Sequence, residues 1–262
     1  MYMADYILAR KSRSIASNMV HVFLNLLLGI GAVLVTVLSG SPLLGILLVL
    51  ASKWRVFAVR ARYLWTNVKA NLVDFIVGIS VVLLAYYAGS SFLVIHFVLM
   101  AFYSAWLLFI KPLSNEGAAM AQSLIAVFLG VSAATIMSAN LNSVVITALA
   151  FLIGYAASRH ILIQTSDKDF TLTTLVCGLV FAEIAWLSQS WSIIYTFGDT
   201  GIRIPQLAII LTIFAFVYNY ARQAMIKYQA DFRLKHIIGP AIFGIALIAI
   251  IVIWFSNPIF NI

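Results

Sequence analysis

Of the chain's 262 residues, 64% are hydrophobic and only 9% are charged, with 16 Lys and Arg against 8 Asp and Glu for a formal charge of +8. Soluble domains carry roughly 45–50% apolar and about 25% charged residues, so a water-exposed globule is excluded and the bilayer must be the solvent. The basic residues sit in gaps between apolar runs and form no continuous face, which argues against nucleic acid, and the single Cys177 excludes an intramolecular disulfide, paired-cysteine metal sites and iron–sulfur ligation.

Residues 1–18 read as a cytoplasmic tail bearing Arg10, Lys11 and Arg13. The apolar stretch 19–38 that follows is longer than the core of a signal peptide, and Val37-Leu38-Ser39 is not a small-x-small cleavage site, so it is expected to be a retained first span. Further apolar segments fall at 42–56, 71–90, 92–110, 117–138, 141–158, 172–191, 204–222 and 237–256, separated by turn signals such as Ser39-Gly40-Ser41-Pro42 and Lys111-Pro112. Backbone polar groups in lipid must be satisfied within the segment, and β-barrel alternation is absent, so helices follow. The expected fold class is all-α: a polytopic transmembrane helix bundle of about nine spans forming a single domain over 1–262. With the N-terminus inside and the C-terminus outside, every basic residue except Arg203 falls on the cytoplasmic side. Segment 42–56 is short, and a re-entrant hairpin fits its length, but that would place five basic residues outside. A short crossing with Lys53 and Arg55 snorkelling is preferred.

Residues 53–69 place Trp54, Phe57, Ala58, Ala61, Leu64, Trp65 and Val68 on one helical face, flanked by Lys53, Arg55, Arg60, Arg62 and Lys69. This is the pattern of an interfacial amphipathic helix whose cations reach anionic head groups, with a topology anchor as the plainer reading. A 4+4 parallel repeat, 19–116 and 117–236, with 237–256 as an added span, is indicated by matches such as Gly31-Ala32 through Ser39 on Gly130-Val131 through Ser138.

Three residues are candidates for substrate contact or proton coupling. Glu183 lies near the middle of the seventh span, where an ionised carboxylate costs about 3 kcal/mol or more; a packing hydrogen bond is the alternative. His96 shares a face with Met100 and Tyr103 and is a partner candidate for Glu183. Asp74, one turn into the third span, fits either coupling or pairing with the nearby basic loop. The rows His21, Asn25, Gly29, Ala32, Thr36 and Ala119, Gln122, Ala126, Gly130, Ala133 read as close helix packing. No mid-span Lys, Gly-rich phosphate loop, His-Glu-x-x-His motif or paired carboxylates occur, so no catalytic residues, metal or cofactor are expected.

The stretch Lys53-Trp54-Arg55-Val56-Phe57-Ala58-Val59-Arg60-Ala61-Arg62-Tyr63, followed by Asn71-Leu72-Val73-Asp74, resembles uncharacterised membrane proteins of reduced-genome epibiotic bacteria of the Saccharibacteria group. The resemblance implies a bacterial cytoplasmic membrane and brings no activity. The functional expectation is a small-solute permease. The alternatives are a non-catalytic structural or assembly subunit of an envelope complex and, behind it, a lipid-acting enzyme with Arg60 and Arg62 on head groups. Expected partners are membrane lipids, with anionic head groups at the cytoplasmic face, and either another protein or further copies of the chain.

Overall fold

The computed structural model describes residues 15–138, 141–163, 169–191 and 193–255; the tail cations Arg10, Lys11 and Arg13, and Lys168, lie outside them. Each of the nine apolar segments is a helix. They are α1 (Ile15–Ser39), α2 (Pro42–Ser52), α5 (Leu72–Ala88), α6 (Leu93–Ala105), α7 (Glu116–Met137), α8 (Ser143–Leu162), α9 (Phe170–Ser188), α10 (Gln206–Tyr228) and α11 (Ile238–Trp254). Between α2 and α5 lie the short α3 (Trp54–Phe57) and α4 (Ala61–Ala70). A small antiparallel hairpin, β1 (Ile194–Thr196) and β2 (Arg203–Pro205), joins α9 to α10.

Six helices are long and apolar enough to cross a membrane: α1 from Met19, α6 with its extension to Ile110, α7, α8, α9 and α10. A seventh forms if α4 and α5, bent by 65°, count as one broken span. The chain is therefore an all-α multi-pass bundle by length and composition. The 11 residues of α2 cover about 16 Å, and the 17 residues each of α5 and α11 about 25 Å, all short of roughly 30 Å of hydrocarbon.

The helices sort into two lobes. One core gathers Ala32 and Val33 of α1, Val49 of α2, Val77 and Val81 of α5 and Tyr103 of α6. The other gathers Val131 of α7, Ala150 and Ala157 of α8, Phe181 of α9 and Leu211 of α10. α7 serves both, since Ala126 and Leu129 belong to the first core and Val127 and Val131 to the second. Within each lobe the neighbours close a ring: α1–α2–α5–α6–α1 in one, and α7–α8–α9–α10–α7 in the other. α5 against α7 and α8 forms the seam. The small-residue rows pack as expected except at the outer end of the first, where His21 is exposed and meets only Asn25 among the described residues. Gly29 lies against the Ser104 backbone, Gly130 against Ile76 and Ile153, and Ala32, Thr36, Ala119, Gln122, Ala126 and Ala133 are buried.

Three sequence expectations need correction. The 53–69 segment is not one helix: it breaks at Ala58, with Arg60 extended (φ −57°, ψ 139°), into α3 and α4. Lys53 is fixed inside the bundle, so a straight helix from it could not also supply the α4 arm that bends into α5. For the same reason Lys53 does not snorkel; it is buried and ion-paired. The second apolar helix ends at Ser52 rather than continuing to 56.

Candidate functional site

The polar centre of the first lobe is Asp74, in the first turn of α5. Its Oδ2 takes an ion pair from Lys53 and another from Lys111, whose Nζ lies 2.7 Å away, while Oδ1 accepts from Trp106 Nε1 at 3.1 Å. Lys53 is positioned by helix termination: α2 stops at Ser52, and Lys53 forms its C-cap. Lys111 and Trp106 are positioned by a π-helical turn, Trp106–Ile110, at the end of α6. The wider turn changes the phase of the helix, so that both Trp106 and Lys111 reach the same carboxylate.

The cluster is largely dry on one side. The Lys53 side chain is 4% exposed and that of Asp74 11%, while Lys111 at 43% opens to solvent or head groups. Two ammonium groups on one carboxylate leave a formal excess of one positive charge. Lys53 also stands 5.6 Å from the centroid of the Phe75 ring, a cation–π contact. Tyr103 is buried against Gly78, and its hydroxyl has no hydrogen-bond partner among the described residues. Next door, Gln122 donates from Nε2 to the carbonyls of Ile110 (2.7 Å) and Leu113 (3.0 Å), and its Oε1 lies 2.7 Å from His160 Nε2. This amide ties the π-turn to α7 and α8, across the two lobes.

The second lobe carries a looser counterpart. Arg159 of α8 lies 5.1 Å from the Phe170 ring centroid, and Asp169, just before α9, pairs with Arg222 of α10 at 3.4 Å. In both lobes a cation at the end of the second helix stacks on a Phe at the start of the third. The Asp preceding that Phe pairs with a cation late in, or just after, the fourth.

The other candidates do not join this site or one another. His96 is buried in α6, with Nε2 donating to the Ala85 carbonyl at 3.1 Å. Glu183 is exposed on the outward face of α9, among the exposed Leu179, Trp186 and Leu187. The two belong to different lobes. Trp54, Arg55, Arg60, Arg62 and Trp65 are exposed along α3, the break after it and α4, with Lys69 5.0 Å from the Trp65 ring centroid. Sequence reasoning met Lys111, Tyr103 and Gln122 only as turn or packing residues and passed over Trp106 and His160. Lys111-Pro112 reads as a turn signal, and nothing in the sequence announces a π-turn.

Several spaces flank these elements. On either side of the α5–α7 seam lie apolar clefts, one of 410 Å³ with Phe102, Phe128 and Ser132 in its wall, the other of 330 Å³ with Phe75, Ile79 and Ala133. At the hairpin end of the second lobe a small polar recess of 170 Å³ is lined by Thr135, Ser138, Ser143, Ser188 and Gln189. Thr135 Oγ1, buried in its wall, has no partner among the described residues. No protein-family model, curated protein or solved structure matches the chain.

Proposed function

We propose that the protein is a small-solute permease of nine crossings, N-terminus in the cytoplasm and C-terminus outside, formed by parallel duplication of a four-helix unit with α11 added. The observation that carries this reading is the shared plan of the two lobes. Each closes the same ring of neighbours, and each pins its third helix to its second and fourth through an Asp-Phe pair and two cations. Two parallel repeats meeting along a seam are a known architecture of secondary transporters, with substrate handled between the repeats. The apolar clefts beside α5 and α7 give the lobes room to tilt. The Asp74 cluster latches the cytoplasmic end, and the recess at Thr135 faces the other side. In this topology 15 of the 16 basic residues are cytoplasmic, the exception being Arg203 of the hairpin. A bacterial cytoplasmic membrane is the setting, and the exposed aromatic and basic side chains of α3 and α4 favour anionic head groups there.

The test begins with thermal-shift screening of sugars, amino acids, nucleosides and organic acids on the detergent-purified protein. Stabilising solutes are then offered to proteoliposomes. Saturable uptake that Asp74→Asn abolishes supports the permease. No saturable uptake across the panel removes it.

A second reading, a subunit that assembles laterally, is favoured by Glu183. Its carboxylate stands on an exposed apolar helix face, where ionisation against lipid would cost about 3 kcal/mol or more. A helix from another copy or another protein, offering a donor at the same depth, would remove that cost. Native mass spectrometry from nanodiscs decides it: an oligomer that Glu183→Leu dissolves supports assembly, whereas a monomeric wild-type protein sinks it.

A further inference from the structure

The larger of the two seam clefts, 410 Å³, is bounded at one end by the hairpin: Gly201 to Ile204 stand in its wall beside Tyr87 of α5 and Ile136 of α7. The hairpin is seated there by a close approach, since a Cβ on Gly201 would lie 2.5 Å from Phe92 Cβ and 3.0 Å from Ile95 Cγ2, at the start of α6. From that end the cleft runs inward past Phe102 of α6 to Leu124 of α7. The stretch from Leu124 to Ile136 covers about 18 Å of helix, slightly more than half of roughly 30 Å of hydrocarbon. Val98 of α6, 48% exposed, also lines the cleft, which is therefore reached from the surrounding membrane.

One charge stands in this wall. Arg203 is exposed at the hairpin end and forms no ion pair among the described residues. In the sequence no other basic residue lies between Lys168 and Arg222. The rest of the wall is apolar except for Tyr87, Ser132 and Thr212. Aromatic residues gather at the same end of the bundle: Tyr87 near the end of α5, Trp186 near the end of α9, Tyr195 in the hairpin and Trp254 at the end of α11. Tyr and Trp mark the membrane–water boundary, so Arg203 stands at head-group level.

We propose that this cleft binds an anionic phospholipid of the leaflet on the hairpin side, with one acyl chain along α7 between the lobes and the phosphate on Arg203. The chemistry of wall and mouth selects that occupant. An apolar trough one leaflet deep excludes a polar solute, whose groups would go unmet along it. A guanidinium at the mouth favours a phosphate, which can take two of its donors. A zwitterionic lipid brings a cation to the same place and gives up part of that attraction. The open rim at Val98 lets a second chain stay in the bilayer, as a phospholipid requires and a free fatty acid does not. The site requires membrane insertion and is independent of transport.

The test uses the full-length protein in phosphatidylcholine nanodiscs doped with photoreactive probes at equal mole fraction, each with a diazirine at the end of one chain. Three probes share that chain: a phosphatidylglycerol, a phosphatidylcholine and the free fatty acid. The phosphatidylglycerol is expected to label α6 and α7 peptides around Phe102 and Leu124 saturably. Its labelling should exceed that of the phosphatidylcholine about three- to ten-fold, the scale of one basic residue acting on an anionic lipid. Arg203→Gln should erase the preference and Arg203→Lys should keep most of it; the side chain is exposed, so neither change empties a packed position. Val98→Trp, which places bulk on the exposed rim, should lower labelling of the Leu124 peptide by both phospholipids. Equal labelling by the two phospholipids in the wild-type protein, or a preference that survives Arg203→Gln, overturns the proposal. So does undiminished labelling in Val98→Trp, or stronger labelling by the fatty acid than by the phosphatidylglycerol.

Discussion

Lys111 Nζ stands 2.7 Å from Asp74 Oδ2, although one residue follows the fourth apolar segment and the other opens the third. The contact exists because the last five residues of that segment wind as a π-turn, which also turns the Trp106 indole onto the second carboxylate oxygen. Asp74 thus holds the ends of three helices together, and its removal tests how much the bundle depends on one buried charge.

Asp74→Ala should strand Lys53, whose side chain is 4% exposed, as an unpaired buried cation. Breaking a buried pair on one side costs about 3–5 kcal/mol, whereas replacing both partners with apolar residues can be nearly neutral. Denaturant unfolding in detergent should therefore show a large loss for Asp74→Ala, and substantial recovery in the double variant Asp74→Ala, Lys53→Met. Additive losses would show that the ion pair is not the interaction that matters.

Trp106→Phe keeps an aromatic ring at a site that is 1% exposed but deletes the N–H donor to Asp74 Oδ1. The expected loss is about 1–3 kcal/mol, the usual cost of a buried hydrogen bond to a charged group. An unchanged thermal midpoint would mean that the two lysines satisfy the carboxylate by themselves.

Two neighbouring glycines give a controlled comparison. A Cβ at Gly29 would lie 2.9 Å from the Cα and N of Ser104, backbone that cannot step aside, whereas one at Gly31 would meet only Leu48 Cδ2 at 3.7 Å. Gly29→Ala should destabilise by about 1–3 kcal/mol through overpacking, and Gly31→Ala should be neutral or slightly stabilising through its helix propensity. Similar midpoints for the two variants would show that α1 and α6 do not pack at Gly29.

Glu183→Leu should leave the stability of the isolated chain within about 0.5 kcal/mol in detergent, because the side chain is exposed. A loss of several kcal/mol would place Glu183 in an internal contact instead.

Most helices were legible because hydrophobic length is a strong signal, and the packing rows of α1 and α7 were legible because Gly and Ala recur there at helical spacing. The partners of Asp74 were only half legible. A basic loop beside it is visible in the sequence, but its other partners depend on where α2 terminates and on the phase change in α6, and neither has a residue code. The break at Ala58 was hidden for a similar reason. No Gly or Pro marks it, and it follows from Lys53 being held inside while α4 turns away by 65° from α5. Glu183 shows the limit of depth as a guide. Position along a span tells how far a side chain lies from water, but a uniformly apolar α9 does not reveal which of its faces meets α8. The hairpin carried half a signal: Gly198 and Gly201, the latter at a left-handed φ of 77°, bracket a turn after the β-prone Ile194-Tyr195-Thr196, but Arg203-Ile204-Pro205 has no strand propensity of its own.

The placement of α11 bears on the order in which the protein is made. This last helix packs chiefly on α10, and Gly244 is its one buried residue. Both lobe cores are therefore complete before the ribosome delivers it. What arrives with it is a clasp on the hairpin end: the Ile251 carbonyl accepts from Gln206 Nε2 at 3.0 Å, and the Phe255 carbonyl from Tyr195 Oη at 3.2 Å. A chain cut before α11 would keep its two rings of helices and the packing of Gly201 against Phe92 and Ile95, but would lose these two hydrogen bonds, so the hairpin end is fully fastened only once α11 is in place.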